Sequence, residues 1–405
     1  MQVEEKYQDL DTTKIVCVTQ NELPCQLQAV LKNIAREEGY LNYKILSRSI
    51  STEGGNYMAT LYEVDLKGRT KDGEKETNMF IKRVISQEHI KIIDVSDIYS
   101  KELFFYNDLS KLFIKLETEA GVPLEERYKS VKSYNESDTE AIIMENLSKE
   151  GFTTLYRMNV MPLKFAELSV QQLAKFHALS FIIERKRPEY FEKKIKSLKH
   201  SIHYGEDFVE FCNNMYKFSS TQLSNEIKAK IESKAEEYMK NYLTGHKTEV
   251  KCLCHGDYRM NNILVKITEG EITDVIPVDY QLIYYGSPIV DFLFFIFGST
   301  DKEFRRNHFN HLKDMYHETM EQYLKYFDID INMVYPRKKF EMDFEDNLVF
   351  GLEFYLYVAP IIFTLEDDVP DFNKVDLSEV KVKLDSRYYE RLQGIVDDMI
   401  EWGKL

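Results

Sequence analysis

The chain contains no CxxC pair, and its five cysteines, Cys17, Cys25, Cys212, Cys252 and Cys254, are odd in number, so a disulfide framework is not expected. Cys252 and Cys254 flank Leu253 with strand spacing, but two thiols fall short of a closed zinc site. Glycine and proline are scarce, 16 and 9 in 405 residues, which argues against long disordered or low-complexity stretches. No repeat at solenoid or propeller periods occurs. The opening residues, MQVEEKYQDLDTTK, lack the apolar core of a signal peptide; together with the cysteine pattern they point to a reducing, cytoplasmic setting. Positive charge is outweighed, with 53 Lys and Arg against 68 Asp and Glu. The resulting net charge of −15 repels phosphate backbones and anionic bilayers, so no nucleic-acid partner is expected. One run, LVFGLEFYLYVAPIIFTL at 348–365, is about as long as the shortest membrane spans. Glu353 and Pro360 interrupt it and no basic flank follows, so a buried helix is expected instead of a span. Nothing in the sequence addresses oligomeric state.

What remains is a globular composition, 43% hydrophobic and 13% aromatic, in a chain long enough for two domains or one large one. Leu27, Val30, Leu31 and Ile34 fall on one face of a helix expected over 21–38. YKILSRSI, MATLYEVDLKG and TNMFIKRVI read as strands, the last two joined through Asp72-Gly73 as a hairpin. A helix is expected over 96–113 with Ser96 or Asp97 at its N-cap. YKSVKSYN and AIIMENL read as a second hairpin. From Leu168 the period becomes helical, broken after the stretch CLCHGDYRMNNILV by two short strands, ILVKI and DVIPVDYQLI. FEKKIKSLKH reads as the polar face of a helix. The expected class is α+β, a small antiparallel sheet lobe followed by a large helical one.

The chemistry concentrates in CLCHGDYRMNNILV, 252–265. Phosphoryl transfer passes through a loose transition state, so a protein mainly positions the partners and neutralises phosphate charge. Asp257 sits where a carboxylate could meet an acceptor hydroxyl. A carboxylate of ordinary pKa, ~4, cannot deprotonate a ground-state alcohol, so its role is to orient the hydroxyl and accept its proton late. Asn262 follows at the spacing that lets a tight loop offer an amide oxygen to Mg²⁺, and Asp279, at the end of an apolar strand, is a second ligand. Lys82 in FIKRV and Glu102 in SKELFFY form a lysine–carboxylate pair suited to holding nucleotide phosphates, with Glu88 a rival partner. Gly54, Gly55 and Asn56 in EGGNY supply a turn whose backbone could approach phosphates. Asp291, in the apolar SPIVDFLFFIF, must be hydrogen-bonded to be tolerated. It is read as an anchor for the loop backbone, with Ser287 capping its helix and Pro288 in the first turn. His255 also orders the loop, and His177 is a satisfied helix histidine. The acidic loop at 365–372 is solvated or, less simply, a lid.

The ordered set GGNY, FIKR, KELFFY, IIMENL, LAKFHALS, HGDYRMNN and VDYQLIYYGSPIVDFLFF resembles the ecdysteroid kinase-like family, within the aminoglycoside phosphotransferase and choline kinase superfamily. The resemblance implies a bilobal protein-kinase-like fold, with a nucleotide-binding lobe at 1–145 and a catalytic, substrate-binding lobe at 146–405. It implies ATP and Mg²⁺ in the cleft, the adenine beside Met144, Glu145 and Asn146. Transfer would go to a hydroxyl of a small lipophilic molecule such as an ecdysteroid-like steroid. Tyr258 and Arg259 replace the family's usual Leu-Trp, and Tyr280 replaces a frequent Phe, so residues facing the acceptor are expected to differ. A catalytically silent kinase-like module that binds a ligand or partner is the alternative, disfavoured by the intact set Lys82, Asp257, Asn262 and Asp279. A protein kinase is disfavoured because HRD, DFG and an APE-terminated segment are missing.

Overall fold

The computed structural model describes residues 14–18, 23–51, 59–84, 92–244, 248–365, 368, 370 and 379–405. Gly54, Gly55, Asn56, Glu88 and most of the 365–372 loop lie outside the described residues.

A five-stranded antiparallel sheet forms the small lobe in the order β1 (Lys14–Val18), β2 (Asn42–Ser51), β3 (Ala59–Thr70), β4 (Gly73–Val84) and β5 (Ala141–Glu145). The β3–β4 hairpin closes with Thr70 opposite Gly73, whose φ of 126° suits glycine alone. Helix α1 (Cys25–Glu37) covers one sheet face, packing Leu27, Leu31 and Ile34 onto Val64, Leu66, Met79 and Ile81. Against the other face lies α2 (Val95–Phe104), bringing Ile98 and Tyr99 onto Ala59 and Leu61. It continues through a π turn, Phe105–Leu109, into α3 (Ser110–Glu119). The cap of α2 differs from expectation: Asp94, not Ser96 or Asp97, accepts the Asp97 N–H at 3.0 Å. The first arm of the expected second hairpin is not a strand. Residues 129–136 meet β5 only through a Ser133–Met144 bridge and two backbone bonds, Glu145 N–H to Lys132 O and Tyr134 N–H to Ile143 O, while β5 pairs with β4.

The large lobe is helical: α4 (Leu163–Lys186), α5 (Pro188–Tyr190), α6 (Glu206–Ser219), α7 (Asn225–Thr244), α8 (Pro288–Ser299), α9 (Lys302–Lys325), α10 (Arg337–Asn347), α11 (Phe350–Tyr357), α12 (Ala359–Ile362) and α13 (Ser386–Glu401). Two small sheets sit where it meets the small lobe. One has β6 (Phe152–Thr153), β8 (Ile263–Thr268) and β9 (Glu271–Pro277); the other pairs β7 (Cys252–Cys254) with β10 (Tyr284–Gly286). FEKKIKSLKH is a single π turn, Phe191–Ile195, with Phe191 and Ile195 buried, rather than a regular helix. The apolar run at 348–365 is buried as α11 and α12, broken at Val358 two residues before Pro360. Among the described residues no helix is long and apolar enough to cross a membrane.

Candidate active site

Successive side chains of a strand face opposite ways, so while Met79 and Ile81 enter the core beneath α1, Lys82 turns toward α2 and the helical lobe. Its Nζ lies 2.8 Å from Glu102 Oε2 and 2.7 Å from Asp279 Oδ1, and donates to Gln281 Oε1 at 3.2 Å. Of the three donors of an ammonium, Asp279 and Gln281 take two, and Glu102 faces it as an ion pair without hydrogen-bond geometry. Burial works to lower the Lys82 pKa, but Asp279 and Glu102 outweigh it and hold the ammonium above its ordinary value. Burial likewise opposes the Asp279 carboxylate, and Lys82 overcomes it, keeping Asp279 below the usual range. Glu102 goes the other way: burial pushes it up to about 7 against the pull of Lys82. The lysine's charge is therefore matched first by Asp279.

The loop opposite begins where β7, fully buried, ends at His255. Gly256 adopts φ +81°, and a Cβ there would lie 2.2 Å from Leu282 O, so only glycine lets this loop lie against the turn that follows Asp279. Asp291, in the first turn of α8, accepts the N–H groups of His255 and Gly256 on its two oxygens. Its Oδ2 is also 3.2 Å from His177 Nε2, whose Nδ1 is 2.6 Å from Tyr316 OH. Both ring nitrogens of His177 are thus engaged. Although the Cys252 and Cys254 sulfurs lie near that ring, a metal would have to displace Tyr316 or Asp291 from it. His255 donates from Nε2 to Val278 O at 3.1 Å and accepts the Asp257 N–H on Nδ1 at 3.4 Å, the pattern of a neutral imidazole. Burial lowers its pKa in keeping with that. Ser287 stands at the N-cap of α8 but makes no side-chain capping bond, unlike the expectation; Pro288 follows at the first helical position.

Asp257 accepts the Asn262 amide on Oδ2 at 2.7 Å, and Arg259 Nε lies 2.9 Å from its Oδ1. Burial raises its pKa, with Arg259 the main opposing influence. Asn262 Nδ2 also donates to Asp257 O at 3.0 Å, which leaves Asn262 Oδ1 with no partner among the described residues. The Val278 N–H donates to Asn262 O at 2.9 Å, tying this loop to the segment that delivers Asp279. Asp279 itself is left-handed, φ 70° and ψ 62°, a conformation that Asp tolerates better than most residues. The free amide oxygen of Asn262 and the Asp279 carboxylate form a hard-oxygen donor set. Such a set fits Mg²⁺, which takes one or two protein oxygens and keeps its other positions for water and phosphate.

Met144, buried, and Glu145 end β5, and the Asn146 N–H donates to Asn78 O at 3.0 Å. Asn146 Oδ1 caps the following turn by accepting from Ser148, while its buried Nδ2 has no protein partner. Of the three family departures, two do not face an acceptor. Tyr258 is buried and donates to Ser169 O at 2.7 Å. Tyr280 stacks on Phe105 at 3.3 Å between centroids, with its hydroxyl 2.6 Å from Tyr128 OH. Only Arg259 reaches Asp257. Sequence reasoning assigned no role to Arg259 or Gln281. The signal for both was present: a cation two residues after the loop carboxylate, and an amide two residues after Asp279.

A sheet lysine facing one carboxylate from the helix on its own sheet and one from the helical lobe defines the class: a kinase-like fold. The sequence profile of the ecdysteroid kinase-like family matches residues 53–329, and the chain belongs to that family. No curated protein matches it in sequence. Among solved structures, a variant of aminoglycoside 2′-phosphotransferase-IIIa in complex with GDP is similar at 10% identity and a TM-score of 0.41, over 93% of this chain and 98% of that one. A choline/ethanolamine kinase family protein from Mesorhizobium loti is similar at 14% identity and a TM-score of 0.31, over 78% and 92%.

Proposed function

We propose that the chain is an ATP-dependent kinase of small molecules, transferring the γ-phosphoryl group to a hydroxyl of a lipophilic acceptor. The observation that carries this reading is the convergence of buried Lys82 and Glu102 with the partly exposed Asp279 in one ion-pair cluster beside Asp257 and Asn262. Nucleotide would lie between residues 1–145 and 146–405, its adenine beside Met144, Glu145 and Asn146 and its phosphates near Lys82. Lys82 exchanges one of its three present partners for a phosphate oxygen, while Glu102 keeps it in place. Asn262 Oδ1 and the Asp279 carboxylate would hold Mg²⁺, which when bound supplies positive charge against the phosphates. Asp257 orients the hydroxyl and receives its proton as the new bond forms. His255 and Asp291 hold the loop backbone in register for this.

A lipophilic acceptor is supported by an aromatic series that runs from Tyr284 of β10 through residues 200–208 to α7 and α11. His200 lies against Tyr284 at 3.7 Å with the rings tilted by 31°, Tyr204 meets Phe208 at 5.1 Å, and Tyr242 stacks between Phe208 and Phe350. An ecdysteroid-like steroid is the narrowest form of the proposal, suggested by the family's name. The test is transfer from γ-labelled Mg-ATP to a panel of hydroxylated lipids and steroids. Labelled phosphate ester is expected with the wild type, falling by about 10²–10⁴-fold in Asp257→Ala while nucleotide still binds. No transfer to any acceptor, or equal transfer by the two proteins, contradicts the reading.

A further inference from the structure

Arg259 is oriented differently from its neighbours. Tyr258 and Met260 are buried in the helical lobe, and between them the chain turns Arg259 outward across Asp257. Its buried Nε lies 2.9 Å from Asp257 Oδ1, an ion-pair contact without hydrogen-bond geometry. The rest of the guanidinium is less enclosed: the side chain is 20% exposed, and its two terminal nitrogens have no protein partner among the described residues. Its charge also acts on Asp279, adding to Lys82 in favouring that carboxylate. One cation thus touches one of the acids that would flank a transferring phosphoryl group and acts on the other through its charge, with a fork of donors unspent.

We infer that Arg259 is a further catalytic residue, an arginine supplied in cis whose free Nη donors bind the phosphoryl group in flight while Nε stays against Asp257. This deepens the function proposed above and depends on it. The loose transition state spreads charge over three equatorial oxygens, and a planar guanidinium can meet two of them while its charge stays against the Asp257 carboxylate. Donors that engage only the group in flight lower the barrier instead of tightening ATP binding. In the step, the bond from the γ-phosphorus to the ADP oxygen breaks and a bond to the acceptor oxygen forms. The hydroxyl proton passes to Asp257, and Arg259 stays protonated throughout.

The test compares calorimetric binding of Mg-ADP alone and with aluminium fluoride, a mimic of the transferring phosphoryl group. Wild type is expected to bind ADP about 100-fold tighter or more with the mimic. Arg259→Ala should lose that gain while keeping its affinity for Mg-ADP within about twofold, and Arg259→Lys should recover part of it, restoring charge without the fork. A gain retained in Arg259→Ala, a wild type with no gain, or an equal loss of Mg-ADP affinity in Arg259→Ala overturns the inference. Failure of the underlying reading looks different: wild type would not bind Mg-ADP at all, or Asp279→Ala would bind it and the mimic as wild type does.

Discussion

Asp291 never approaches the reacting groups, yet it holds the loop that does. Its two oxygens accept N–H groups from His255 and Gly256, and one also meets His177. Asp291→Asn would turn a donor toward a donor in a buried place, and loss of a charged acceptor there costs about 2–4 kcal/mol. Urea unfolding should register that drop, and phosphotransfer should fall with it; stability within about 0.5 kcal/mol of wild type would remove the anchoring role. Gly256→Ala tests the same loop from the backbone side. With φ at +81° and Leu282 O at 2.2 Å from the new Cβ, the variant should lose turnover even where it stays folded, and an unchanged rate would show that the loop can relax. Lys82, Asp257, Asn262 and Asp279 could be picked out in the sequence because their spacing and residue types state their chemistry. Arg259 and Gln281 were marked only by their places two residues after Asp257 and Asp279, and for Gln281 the partner itself is set by folding, since it meets Lys82 from 199 positions away.

Element by element, periodicity foretold most of the helices, and the misses share a cause. Residues 129–136 alternate like a strand, but they meet the outer edge of β5 at a single bridge, while its other edge pairs fully with β4. β1, KIVCV, is only five residues long behind a polar stretch and is recruited by β2. The apolar run at 348–365 shows its burial in its composition but not its break at Val358. Within it Glu353 is fully buried on α11, where burial pushes its carboxyl up to about 8; Asn241 and Glu237 of α7 face it, the amide lowering and the carboxylate raising that value. A folded-state pKa above the unfolded one means the native state binds the extra proton. Stability from this group is complete below about 4.5 and is lost as pH rises toward about 8. Glu353→Gln should therefore flatten the fall in melting temperature between those limits. Parallel profiles for the two proteins would show that Glu353 ionises freely in the fold.

The two lobes meet through buried charge, Lys82 of the sheet against Asp279 of the helical side, and a nucleotide that inserts there must replace part of that contact. The kinase-like outline was readable because the sheet text ends near Glu145 and helical text follows. The lysine's contact with three partners was not, because it depends on how closely the lobes approach. Mg-ATP at 100 times its Kd should stabilise the whole chain by about 2.7 kcal/mol, and a thermal-shift titration that shows no rise would place nucleotide elsewhere or nowhere. The most direct measurement is a Mn²⁺ titration in the presence of ADP, followed by the electron paramagnetic resonance of the free ion. The account expects wild type to take up one Mn²⁺ only with nucleotide, and Asp279→Ala to lose that uptake while keeping its fold. Equal uptake by the two proteins, or uptake that does not depend on ADP, would contradict it.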